Sequence, residues 1–203
     1  MDGGGAGWGV LLLGAGHGLN PGMGWLFAVA LGLQERRGWA VWRALGPLAL
    51  GHALSVGVTL GAAAALASLL PPGGLRWPTV ALLLGFGLYR LLVNRHPRYG
   101  GMRVGVLDLT IWSFLMATAH GAGLMVVPLL PAGEEHLLHA GLLQPSAAAA
   151  VLHAAGYLLV TGSIAVVVYH RLGLRLLRTA WINLDLLWGL ALLLTAGTVA
   201  VAG

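Results

Sequence analysis

Four histidines stand in otherwise apolar stretches, and their spacing makes two matched pairs. Ala15-Gly16-His17-Gly18 is followed 35 residues on by Gly51-His52-Ala53, and Thr118-Ala119-His120-Gly121 is followed 33 residues on by Leu152-His153-Ala154. An imidazole set among Leu, Val, Ala and Gly is costly to bury unless a partner or a wet cavity meets it. Neutral imidazole is a ligand for Zn, Ni, Co and Cu, and Met23 and Met125 would add soft thioethers that favour Cu(I). It also titrates near neutrality and gives up its metal on protonation, which is what an exchange site needs. Ligands this far apart in the chain lack the close spacing of a tight structural site, so any metal held here is read as in transit.

The densest motif is His17-Gly18-Leu19-Asn20-Pro21-Gly22-Met23-Gly24. Pro21 has no amide hydrogen and its ring clashes with the carbonyl four residues back, so a straight helix does not pass through. Pro21, Gly22 and Gly24 are read as a hinge. A helix broken at mid-membrane frees carbonyls that only protein or a water-filled cavity can cover. Those carbonyls, His17 and Asn20 make a candidate cation site. The plainer alternative is a proline kink with small residues for close packing. Asp108 and Asp185 each fall near a span start; helix capping explains Asp108, whereas Asp185, deeper and beside Asn183, is a candidate proton relay. Ser55, Thr59, Thr110, Ser113 and Thr118 read as helix-packing hydroxyls.

What positions these groups follows from the solvent. Apolar residues are 58% of the 203 and charged residues 8%, against about a quarter charged in soluble domains, so most of the surface faces lipid. The net charge of +5 comes from arginine alone, without lysine or a basic run interleaved with aromatics, which excludes a nucleic-acid partner. The absence of cysteine excludes disulfides and thiolate chemistry.

About 20 apolar residues cross a bilayer, and six segments meet or approach this, at roughly 8–33, 47–70, 78–94, 104–130, 146–170 and 179–202. Pro47 and Pro78 suit the first turn of a helix. Ten of the eleven arginines lie on alternate loops, with Arg76 on the other side. The positive-inside rule then puts both termini outside. Trp39, Trp42, Trp77 and Trp181 fit the aromatic belt. The first apolar run lacks a signal peptide's positive n-region and reads as a permanent span.

Three spans per half make the halves inverted repeats about an axis in the membrane plane. The expectation is one all-α integral membrane domain over 1–203, with six transmembrane helices and repeats at about 8–94 and 104–202. His17 and His120 then come near the midplane, with His52 in the inner half of the bilayer and His153 in the outer.

His-x-Leu-x-Pro-Gly-x-Gly early in the first span, on His17, Leu19, Pro21, Gly22 and Gly24, followed by Gly51-His52-Ala53-Leu54 in the second, resembles the nickel/cobalt exporter (NicO) family of the LysE-type superfamily. The resemblance runs over about 45 residues. It implies a small six-span transporter with inverted three-helix repeats. The family pattern has a histidine and a lysine where this chain has Met23 and Trp25, and the histidine-rich cytoplasmic loop common in metal exporters is missing.

The reading is a secondary transporter in the bacterial inner membrane, exchanging a small cation, a transition metal, for protons. His17, Asn20, His52, His120 and His153 hold the cargo, with Met23 as a further metal ligand. Its partners are membrane lipid and a small cation or solute, and a homodimer is compatible with the glycine-rich helices. Two alternatives stay open: a membrane-embedded His/Asp metalloenzyme acting on a lipid-like substrate, and a LysE-type exporter of an organic solute.

Overall fold

The computed structural model describes residues 3–71, 74–92, 105–129, 143–172 and 184–201. Among them the regular structure is helical: α1 (Gly3–Leu19), α2 (Trp25–Glu35), α3 (Gly38–Ala67), α4 (Arg76–Leu92), α5 (Val106–Ala119), α6 (Ala122–Val126), α7 (Leu143–Val167) and α8 (Leu184–Val201). A π-helical turn, Val168–Leu172, extends α7.

Local sequence explains the breaks. α1 stops at Asn20, whose extended backbone (φ −71°, ψ 121°) is the conformation that the residue before a proline favours. Pro21–Met23 form one 3₁₀ turn, and Gly24 redirects the chain at φ 141°, a region closed to residues with a Cβ. The second half breaks in a comparable place. His120 ends α5, Gly121 sits at φ 67°, and Val106–Ala119 and Ala122–Leu129 meet at a bend of 52°.

One expectation needs correcting. Pro47 does not start a helix but lies inside α3, which begins at Gly38. The added turns bury Ala40 and place Val41 and Ala44 in a cluster with Trp25 and Val29 of α2, Ala165 of α7, Leu48 and Leu109. That apolar burial outweighs the one ladder hydrogen bond that Pro47 removes.

Three helix pairs carry most of the packing: α1 with α7, α3 with α5, and α4 with α8. Each crosses at glycine. A methyl at Gly14 would collide with the His153 carbonyl, one at Gly156 with the Leu11 carbonyl, and one at Gly51 with the Thr110 carbonyl. Gly87 and Gly189 face each other in the third pair, where the added carbon would lie 3.2–3.3 Å from the opposite glycine's oxygen. Hydrogen in place of a side chain lets the backbones touch.

Large apolar side chains lie outside as well as in the core, and several polar ones lie within it. Leu12, Leu54, Val58, Ile111, Leu159 and Leu194 are among many large apolar residues left on the exterior, while His17, Asn20, His52, Ser55, Ser113, His120, His153 and Thr161 are buried. By length and composition Gly38–Ala67 and Ala147–Arg171 could cross a membrane, and the bent pair Val106–Ala119 and Ala122–Leu129 makes a third if taken as one span. Six were expected. The first segment is divided by its break into α1 and the eleven-residue α2, and the sixth shows a short apolar stretch, Gly189–Val201.

Candidate functional site

Three helices each deliver one histidine to the same place: His17 from α1, His52 from α3 and His153 from α7. Their ring centroids are 5.8 Å apart for His17 and His52, 5.0 Å for His17 and His153, and 5.2 Å for His52 and His153. All three have 0% exposure. The glycine crossings make this possible, because α1 and α7 touch along Gly14, Gly18 and Gly156, directly beside His17 and His153. His52 and His153 therefore meet as ring neighbours, parallel to within 6°.

His120 joins the site through an intermediary. Asn20 Nδ2 donates to His120 Nε2 at 3.2 Å, and His120 Nδ1 donates to the Met116 carbonyl at 2.7 Å. His17 Nδ1 likewise donates to the carbonyl four residues back, Leu13, at 2.9 Å. A carbonyl only accepts, so in both rings Nδ1 carries the proton and Nε2 carries the lone pair. His52 is different: neither of its ring nitrogens has a hydrogen bond. Neither ring nitrogen of His153 meets hydrogen-bond geometry either, although the Val10 backbone lies beside the ring. Buried polar atoms left in this state cost about 1–3 kcal/mol each, which folds tolerate chiefly where function needs them.

The freed carbonyls at the break were expected to face a cation, but side chains from the surrounding helices take them. Trp25 Nε1 donates to the Leu19 carbonyl at 3.1 Å, Trp112 Nε1 to Gly22 at 3.0 Å, and the Tyr157 hydroxyl to Met23 at 2.6 Å. Asn20 Oδ1 accepts from the Gly22 amide at 2.9 Å, so Asn20 caps the 3₁₀ turn with one end of its amide while the other holds His120. Met23 is buried in an apolar cluster with Val56, Met116, Ala117 and Tyr157.

Other sequence-based candidates separate cleanly. Asp108 is exposed, and its Oδ2 accepts from the Gly105 amide at 2.9 Å, a helix cap. Ser55 and Thr118 hydrogen-bond across α3 and α5 at 2.8 Å, and Ser113 donates to the Leu48 carbonyl at 2.6 Å, so these hydroxyls do hold helices together. Asp185 is the second residue of α8, with its side chain outside the described set; Asn183 and Trp181 lie outside the described residues altogether.

Tyr157 escaped the sequence reading. Its ring stacks on His52 at 4.0 Å and 5°, and it has 0% exposure. The signal was present: Tyr157 follows His153 by one helical turn, on the same face, and a buried tyrosine needs a partner for its hydroxyl.

The described carboxylates, Glu35 and Asp108, lie at exposed helix ends, Glu35 paired with Arg43. The cluster is thus built from neutral donors. Three imidazoles bonding one ion at about 2.0–2.1 Å have centroids roughly 5 Å apart, which the observed separations match. Among the described residues, however, no three His, Asp or Glu side chains are placed to hold a metal ion as they stand. The spacing suits an ion, but the side chains would have to reorient to hold one.

No family model, no curated protein and no solved structure matches the chain.

Proposed function

We propose that this chain is a six-span secondary transporter of the bacterial inner membrane, built from two inverted three-helix repeats, that carries a transition-metal ion in exchange for protons. The observation that carries the reading is the cluster itself: three imidazoles from three helices within 5.0–5.8 Å, fully buried, with both ring nitrogens of His52 unpartnered. Such donors are wasted in a structural core and useful to a cargo that strips off its water. Imidazole without carboxylate favours borderline and soft metals over Mg²⁺ or Ca²⁺, which take oxygen ligands.

What supports the repeat is the way the packing maps onto itself. Exchanging the halves turns the α1–α7 pair into α5–α3 and leaves α4–α8 and α3–α7 on the axis. Both first helices of the halves break beside a histidine, and both of those histidines bond Nδ1 to the carbonyl four residues back. The NicO resemblance on His17, Pro21, Gly22 and Gly24 points the same way. Support for a carrier comes from closure of the cluster to solvent next to two broken helices, the half-helix arrangement that alternating access uses. Asp185 is retained as the proton carrier.

The test is flux in proteoliposomes. Purified protein should move Ni²⁺, Co²⁺ or Zn²⁺ down an imposed pH gradient, and His52→Ala or His153→Ala should abolish it. Binding should weaken as pH falls, because protonated imidazole cannot ligate. Flux of an organic cation with no metal binding would overturn the metal assignment and leave the histidines as hydrogen-bonding contacts to cargo.

A further inference from the structure

Tyr157 is the one described side chain that is both stacked on a histidine of the cluster and hydrogen-bonded to the break in the first segment. Its ring lies against His52 at 4.0 Å, nearly parallel, and its hydroxyl donates to the Met23 carbonyl at 2.6 Å. Three donors hold the break, but they differ in what stands behind them. Trp25 belongs to α2 and moves with it. Trp112 reaches Gly22 from α5 and packs its ring on Phe27, 5.0 Å away, so its surroundings are apolar. Tyr157 alone has a cluster imidazole on its face.

Within the break itself the backbone is held by the Asn20 cap on the Gly22 amide and by two further bonds. Its local bonds are Met23 N to the Asn20 carbonyl at 3.0 Å and Gly24 N to the Pro21 carbonyl at 3.3 Å. Met23 is buried in the core, but the backbone of a segment this short, with two glycines and a proline, relies on side-chain bonds from outside to stay closed. Gly24 also lacks room to move inward, because a Cβ there would lie 3.1 Å from the Tyr157 hydroxyl and 2.9 Å from Leu48.

We infer that Tyr157 is a positioning residue that ties the ring orientation of His52 to the conformation of residues 20–24. Turning His52 toward an ion removes one face of the tyrosine's packing, frees the ring to shift and releases the Met23 carbonyl, so the hinge loosens when the site fills. The tie follows from the geometry alone; only the identity of what turns His52 rests on the transporter reading above. A carrier needs such a link, because cargo moves a conformational equilibrium only as far as it interacts differently with the two states.

Amide exchange of residues 20–28 in the purified full-length chain, in detergent, reads the tie directly. Tyr157→Phe keeps the ring and deletes the donor, and should speed exchange of the Met23 and Gly24 amides about 2- to 10-fold, the range that one lost neutral hydrogen bond allows. His52→Ala should also speed it, by undoing the stack. The decisive comparison is the pair: in the Tyr157→Phe background His52→Ala should add nothing further, whereas with Trp112→Phe, which loosens the hinge by another route, it should add in full. Additive effects of His52→Ala and Tyr157→Phe, or a Tyr157→Phe hinge as slow as wild type, would overturn the inference. If Tyr157→Phe does not fold, Trp112→Phe combined with His52→Ala and His52→Phe still decides: the phenylalanine retains a stacking face and should keep the hinge slow where alanine does not, and equal exchange in the two would overturn the tie. Adding Zn²⁺ separates the two proposals. Faster exchange in wild type but not in His52→Ala supports both, and a non-additive pair with no zinc response supports the tie while counting against metal as the cargo.

Discussion

Removing the Asn20 side chain is the sharpest test of how the two halves are joined. The amide makes two bonds of different kinds. Its oxygen accepts from the Gly22 amide and caps the 3₁₀ turn, and its nitrogen donates to His120 Nε2 across the bundle. Asn20→Ala loses the cap, worth about 1 kcal/mol, and also the interhelical bond, a kind that averages about 0.6 kcal/mol in membrane proteins and reaches about 1.7. The total loss is therefore about 1.6–2.7 kcal/mol. Only the second part depends on His120. A double-mutant cycle of Asn20→Ala with His120→Ala should return a coupling of about 0.6–1.7 kcal/mol, leaving about 1 kcal/mol of cap loss that persists without the histidine. Unfolding in mixed detergent–dodecyl sulfate micelles, followed by helix content, measures all four corners. Additivity within about 0.3 kcal/mol would refute the argument, because it would mean that the 3.2 Å contact carries no energy and the breaks in the two halves are independent.

Glycine substitutions should divide by what surrounds them: Gly156→Ala, aimed at the Leu11 carbonyl, should destabilise by about 1–3 kcal/mol or more, while Gly57→Ala and Gly61→Ala, with open space around them, should be neutral or gain up to about 1 kcal/mol of helix propensity; equal effects in a melting experiment would sink the crossing argument. His52→Phe keeps a ring against Tyr157 and removes two unpartnered nitrogens, so it should abolish metal binding while raising stability by about 1–3 kcal/mol; a less stable variant would show that the imidazole has a structural partner. Orientation is open to cysteine labelling because the chain has no cysteine of its own. An impermeant maleimide should reach Leu69→Cys from outside intact cells and spare Arg36→Cys, both sites being exposed, and the reverse pattern would invert the proposed topology.

Legibility varied with range. Pro21 and its glycines announced a break because proline's missing donor is a property of one residue, and the backbone breaks there. The extension of α3 back through Pro47 was not legible, since it depends on Val41 and Ala44 finding α2 and α7 to pack against. Asp108 was readable as a cap because its partner, the Gly105 amide, is three residues away. Donors to the Leu19, Gly22 and Met23 carbonyls were not, because two of them, Trp112 and Tyr157, lie 90 and 134 residues from their acceptors.

Residue type and periodicity alone determined that the chain is helical, that its helices are apolar outside, and that His17, His52, His120 and His153 are the polar groups that most need an explanation. These are statements about single residues and their immediate neighbours, and the hydrophobic effect and backbone sterics act on them locally. Tertiary structure alone decided that three of the four rings share one site while the fourth is reached through Asn20, and that His52 is held by Tyr157. Those outcomes turn on how closely helices cross. The crossing of α1 and α7 is set by atoms that Gly14, Gly18 and Gly156 lack, and what fills that space comes from a helix more than a hundred residues away.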